Sequence, residues 1–388
     1  SGYGILSLPQ NAANGQVSDV RIMGNTYTNI VKNGDFSQGI TGWFADYSTP
    51  TVSNNVLTIT GLENSAYMRA YQNLPTYRAN EKYYIRGKLT VDLSSPPKYV
   101  TFNLRDNNAK GAMIKEILIT NPQSASYILS GIGSMASNGT NNLVLYAQVE
   151  YADAATKKDK FLKLEYVLAI NLTQTFGAGN EPTKDQCDKM FPYWFDGTKS
   201  TVGAMRLKSV SADETETSTA YVVAKNDEGN IEELRSLPNG VKDEFNVVEG
   251  KYIKRVSDWV ATTQNVVIHG VSGAEWQAEG MTSVYFNKNY FDIPIYVNTN
   301  NEKIIPSYSP QLLSSGWQHA GADGQETYTL YEHVNLVYVR IKNEKTGILD
   351  VDDNATKIAK FQSWLRNNPI TLIYQLAEPV VTHYPAKV

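Results

Sequence analysis

Apolar and polar residues alternate through the first half of the chain, in NNVLTIT (54–60), EKYYIRGKLTVDL (81–93), KYVTFNL (98–104), NLVLYAQVEY (142–151) and FLKLEYVLAINL (161–172). A period of two sends successive side chains to opposite faces of a strand, so each run offers one apolar face to a core. Clusters of turn residues separate the runs: SPP (95–97), DNNAKG (106–111) and NGTNN (138–142). Short strands with such punctuation predict an antiparallel sandwich or barrel. Strands do not alternate with helical periods, which argues against a parallel α/β fold.

The chain has 388 residues, which at roughly 150 per domain gives two or three domains. Residues 204–388 are again β-rich, with TAYVVAK, GKYIKRVS, TQNVVIHG, TSVYFN, TYTLYEHVNLVYVRIKN and ITLIYQLAEP. The reading is therefore all-β, tandem antiparallel β-sandwich domains with short peripheral helices. Its parts are a lead-in over 1–25 that pairs with something outside the first core, a first sandwich over 26–178, a helical and aromatic connector over 179–203, and a second sandwich over 204–388. One helix is predicted over 183–191, with Thr183 as N-cap, Gln186 as its capping-box partner and Asp185 in the first turn, ended by Pro192. A second is predicted over 354–367, capped by Asn354, with Ile358, Phe361 and Leu365 on one apolar face.

Charge and composition exclude several classes. A net charge of −4 and a pI of about 5.7 argue against a nucleic-acid binder, which needs a basic face. The one cysteine, Cys187, rules out an intrachain disulfide and a cysteine-based metal site, and suits a small buried role in its helix. No apolar run approaches the ~20 residues that span a bilayer, so membrane insertion is not expected. The opening SGYGILSLPQNAANG lacks the basic and apolar regions of a secretory signal, and Ser1 reads as a cut end. No G-x-S-x-G, H-E-x-x-H, Walker or dinucleotide motif is present. The acidic pairs Glu232/Glu233 and Asp352/Asp353 could serve glycoside hydrolysis in principle, but Glu232/Glu233 and the acidic stretch SADETETS (211–218) read as solvated faces. The chain is read as no enzyme.

Tyrosine is abundant, 25 residues in all. Tyrosine is a strand former, and it also meets polar ligands with a rigid amphipathic ring. In YMRAYQNLPTYRANEKYY, alternation puts Tyr67, Arg69 and Tyr71 on one strand face; Tyr77, Tyr83 and Tyr84 are further candidates. Asn103 and Arg105 in TFNLRDN, with Gln148 and Glu150 in YAQVEY, are placed in the same concavity. In the second half, Trp276 (SGAEWQAEG), Tyr290, and Trp317 with His319 (SSGWQHAGADG) bring aromatics beside small and polar residues, the composition of a recognition surface. Trp43 is read as core rather than ligand-binding.

The tract N-G-D-F-x-x-G-x-x-G-W (33–43), followed by VSNNVLTITG (52–61), resembles the start of a carbohydrate-binding-module jelly roll. FGAGNEPTKDQCDKMFPYWFDGTK (176–199) resembles the segment that closes such a domain in tail proteins of phages and prophages of Gram-positive bacteria. LRSLPNGVKDEF (234–245), GKYIKRVSDW (250–259) and NNPITLIYQLAEPVV (367–381) resemble their recurrent second module. The resemblance implies jelly-roll sandwiches in a receptor-binding protein of a virion, at the tail tip, baseplate or fibre. It implies bacterial cell-surface polysaccharide or teichoic acid and other tail proteins as partners, and a homo-oligomer such as a trimer. The slight negative charge favours neutral glycans. In some relatives a structural Ca²⁺ lies near the N-terminal turn; carried over, its ligands here are Asn33, Asp35 and Glu165, and otherwise no cofactor is expected. The other readings are a structural tail component that binds no glycan and an accessory module of a glycan-degrading enzyme.

Overall fold

The computed structural model describes residues 4–6, 21–74, 77–107, 112–137, 142–202, 204–210, 216–223, 230–237, 240–246, 249–260, 267–268, 281–287, 305–306, 327–331, 336–367 and 371–384. The chain divides into two compact units, Tyr27–Thr198 and Ser1–Thr26 with Lys199–Val388.

The Tyr27–Thr198 unit is built on ten strands: β1 (Phe44–Asp46), β2 (Ser48–Ser53), β3 (Val56–Gly61), β4 (Tyr67–Leu74), β5 (Tyr83–Val91), β6 (Tyr99–Asp106), β7 (Met113–Thr120), β8 (Ser126–Gly133), β9 (Leu143–Glu150) and β10 (Phe161–Asn171). They form two five-stranded sheets, in the order β7-β6-β9-β4-β1 and β8-β5-β10-β3-β2. All pairings are antiparallel. From β3 to β6, and again from β7 to β10, each connection crosses to the other sheet, which is the jelly-roll winding of a β-sandwich.

Alternation builds this unit. In β3, Leu57 and Ile59 point inward; in β4, Met68, Ala70 and Leu74 do; in β6, Val100, Phe102 and Leu104; in β9, Leu143, Leu145, Ala147 and Val149. These side chains fill one core with Ile85, Leu89, Leu162, Leu164 and Val167 from the second sheet. A register shift between Leu164 and Tyr166 leaves Glu165 without a ladder partner. The N-terminal turn closes one edge. The Asn33 amide donates to Gly39 O (2.9 Å) and Thr41 O (3.0 Å), and its Oδ1 accepts from Gln38 N. Phe36 and Trp43 are buried with ring centroids 5.2 Å apart, and Trp43 Nε1 donates to Asn33 O. Gly34 is required here, because a Cβ would collide with Val167 O and the Trp194 indole.

Three short helices follow β9: α1 (Ala154–Lys157), α2 (Leu172–Phe176) and α3 (Lys184–Met190). As the spacing predicts, Thr183 caps α3 and forms a capping box with Gln186. One end of the outer face of the second sheet is covered, while Lys88, Glu165 and Ile128 on the same face stay open to solvent. Tyr84, Leu168 and Ile170 lie beneath Leu172, Cys187, Phe191 and Phe195, and the Tyr27 ring meets Phe191 and Phe195 edge-on at 5.0 and 5.2 Å. Residues 179–198 are therefore no connector. Cys187 and the aromatics bury against the sheet, so the unit ends at Thr198 rather than at 178.

In the other unit, Gly4–Leu6 runs parallel to Ala204–Val210, which pairs with Glu216–Val223. Arg21–Met23 pairs with Glu244–Asn246 in a five-stranded sheet completed by Lys251–Val260, Thr371–His383 and Ile305–Pro306. The described strands of residues 1–25 pair outside the jelly-roll core and belong to this unit through main-chain hydrogen bonds. A four-stranded sheet holds Val267–Ile268, Met281–Asn287, Leu336–Lys342 and Thr327–Tyr331. The described residues of 204–388 thus form several sheets, two of which take in an N-terminal strand. The expected helix is Asn354–Asn367, with Phe361 and Leu365 buried. Asp353 rather than Asn354 caps it: its Oδ1 accepts from Thr356 N at 2.7 Å.

Candidate functional site

The first sheet presents an open outer face of the jelly roll. Register orders its side chains in rows. Phe44 stands opposite Tyr71, Tyr71 opposite Tyr146, Tyr146 opposite Asn103 and Asn103 opposite Glu116. The next row is Asp46, Arg69, Gln148, Thr101 and Leu118, and the third runs Tyr67, Glu150, Tyr99 and Thr120. Arg105 stands opposite Val144, beyond the first row. Tyr67, Arg69, Tyr71, Asn103, Arg105 and Gln148 therefore converge on one face, although they come from three strands.

Their chemistry differs along the face. Arg69 donates to Asp46 at 2.6 Å, and its guanidinium lies 5.1 Å from the Tyr71 ring centre and 5.9 Å from that of Tyr146. Arg105 lies 5.0 Å from the Tyr146 ring centre, and its buried Nε has no hydrogen-bond partner among the described residues. Tyr146 is thus flanked by guanidiniums, and its hydroxyl accepts from the Asn103 amide at 2.9 Å. Asn103 Oδ1 accepts from Ile117 N, which fixes the amide's orientation. Burial raises the phenol pKa of Tyr71, and also that of Tyr67, whose ring meets Tyr47 edge-on at 4.9 Å. The rings that remain free to stack are Phe44, 50% exposed and stacked on Tyr71 at 5.3 Å, and Tyr99, 38% exposed.

On β7, β6 and β9 lies an open depression of about 320 Å³ lined by Tyr99, Thr101, Asn103, Glu116, Leu118, Tyr146, Gln148 and Glu150. At one rim, Lys157 is fully buried. Its ammonium donates to Tyr47 O (2.7 Å), Tyr67 O (3.1 Å) and Asn64 Oδ1 (3.4 Å), tying together the segments that carry the Tyr47–Tyr67 pair.

Other expected positions lie elsewhere. Tyr77, Tyr83 and Tyr84 are buried; Tyr83 donates to Glu81 at 2.9 Å, and Tyr84 to Asp188 at 2.8 Å beneath the cover of the second sheet. Trp276, Tyr290, Trp317 and His319 lie outside the described residues. The residues named for calcium each have a protein partner. Asn33 holds its own turn, Asp35 accepts from Ser37, and Glu165 pairs with Lys88 at 2.7 Å. Ca²⁺ takes 6–8 oxygens, and among the described residues no group of three or more His, Cys, Asp or Glu side chains comes together.

Alternation could have found Tyr99, Thr101 and Tyr146, since each shares strand parity with a named residue, whereas Glu116 is tied to Asn103 only by cross-strand register. Phe44 carried no such signal, because it follows a turn and belongs to a three-residue strand.

No protein-family model matches the chain, and no curated protein matches it in sequence. Among solved structures it is similar to a CBM4 module, at 14% identity and TM-score 0.29, over 34% of this chain and 97% of that one. It is similar to TmCBM61 in complex with β-1,4-galactotriose, at 10% identity and TM-score 0.26, over 36% and 97%. It is also similar to the enzymatically active domain of tailspike protein 4 of bacteriophage CBA120, at 13% identity and TM-score 0.27, over 36% of this chain and 21% of that one. At such identities and scores nothing about function follows from them.

Proposed function

We propose that this chain is a non-enzymatic glycan-binding protein of a phage tail, which holds cell-surface polysaccharide of a Gram-positive bacterium on the open face of its jelly roll. The observation that carries the glycan reading is that face. Part of the second sheet is covered by the chain itself, while the first sheet carries two exposed rings, Phe44 on its edge strand and Tyr99 in the lining of an open, largely polar depression. Rings stack on the apolar faces of pyranoses, and amides, hydroxyls and carboxylates bond sugar hydroxyls. The tail assignment and the cell-wall partner rest on the three sequence tracts.

A shallow open site binds weakly, and copies joined in a homo-oligomer multiply its affinity without new contacts.

The test is a pull-down of the intact chain on host cell walls, followed by incubation with the purified polymer and an assay for new reducing ends. Retention without product supports the reading. Retention lost in Phe44→Ala with Tyr99→Ala, the fold unchanged by circular dichroism, places the site on this face. No retention favours a structural tail component, and new reducing ends overturn the non-enzymatic reading.

A further inference from the structure

We infer that the depression on this face selects a glycan carrying free, positively charged amino groups; this rests on the glycan-binding reading above and names its ligand class. Glu116 and Glu150 both line the depression, and among the described residues neither carboxylate has an ion-pair or hydrogen-bond partner. The basic groups of the same face are engaged elsewhere, Arg69 with Asp46 and Arg105 against the Tyr146 ring. What a ligand in the depression meets is therefore net negative.

A second observation points to a ligand independently of the acids. Thr101 lines the depression and is only 8% exposed, yet its Oγ1 has no hydrogen-bond partner among the described residues. A buried hydroxyl left unpaired in this way calls for a bound group or water. Thr101 stands opposite Gln148, and Tyr99, two residues along, stands opposite Glu150. The half-exposed Tyr99 ring and the Glu150 carboxylate thus form a pair. An ammonium is drawn to both, by the ring quadrupole and by charge. A neutral sugar hydroxyl can bond the same carboxylates, but a charge-assisted bond in which both partners are ionised is stronger. A phosphate or uronate would face two unpaired carboxylates.

Calorimetric titration of the intact chain with three β-1,4-linked oligomers of one length, of glucosamine, N-acetylglucosamine and glucose, separates the possibilities. The buffer is mildly acidic, so that amines are protonated and carboxylates ionised. The glucosamine oligomer is expected to bind about tenfold more tightly than the other two. The double variant Glu116→Gln, Glu150→Gln should bring all three to parity. Asp185→Asn, which removes an exposed charge on α3, should leave the preference intact and so controls for general attraction to an acidic protein. Equal affinities in the intact chain, or a preference that survives the double variant, would overturn the inference while leaving the glycan-binding reading standing. So would retention on cell walls with no binding of any of the three oligomers. No binding to oligomers or to cell walls would overturn both.

Discussion

Trp43 and Phe44 are adjacent aromatics with opposite roles. Trp43 is 5% exposed, packs on Phe36 and donates its indole N–H to Asn33 O, whereas Phe44 is half exposed and lies flat on Tyr71. Trp43→Ala should destabilise the jelly roll by about 3–5 kcal/mol in chemical denaturation, the cost of emptying a large aromatic site. Phe44→Ala should change stability by less than about 1 kcal/mol and lower glycan affinity in the same titrations. Lys157 is a buried cation that pairs with no carboxylate among the described residues. Burial lowers its pKa, and carbonyls with an amide oxygen hold the ammonium. Lys157→Met leaves Tyr47 O and Tyr67 O without this donor, and a loss of about 1–3 kcal/mol is expected in denaturant melts.

The helix α3 covers one end of the second sheet. Its Asp188 accepts from Lys184 (2.6 Å), Tyr84 (2.8 Å) and Arg86 (3.0 Å). Burial pushes this carboxyl up, but the hydrogen bonds from Lys184, Ser130 and Tyr84 outweigh it and bring the pKa from 3.8 down to about 2. The folded state therefore binds this proton less readily than the unfolded chain. The stabilisation is fully present above about pH 4 and is lost as pH falls towards 2. Asp188→Asn should flatten acid unfolding in that window and lower the melting temperature at neutral pH. Thr183→Ala removes the cap and should cost about 1 kcal/mol, read from the same melts.

At the level of the molecule, the chain leaves the second unit at Thr26, builds the jelly roll and returns at Lys199. The Tyr27–Thr198 unit has its own core and its own cover. Expressed alone, it should unfold in one cooperative transition and keep the affinity of the intact chain for cell-wall glycan. A fragment that fails to fold would show that its edges need the rest of the protein.

Much of this was legible beforehand, because strand periodicity is a local property. The period of two in VLTITG and YMRAYQNL already assigns Leu57, Ile59, Met68 and Ala70 to one side and Arg69 and Tyr71 to the other, and the Thr183–Gln186 spacing marks its helix cap. Pairing between distant strands is not local. The rows that bring Phe44, Tyr71, Tyr146, Asn103 and Glu116 side by side exist only because five strands far apart in the chain share one sheet in one register. Nor does alternation tell a sealed outer face from an open one. Tyr84 and Tyr71 both point away from the sandwich core, and only the packing of residues 172–195 over one sheet buries the first and leaves the second beside the ligand face.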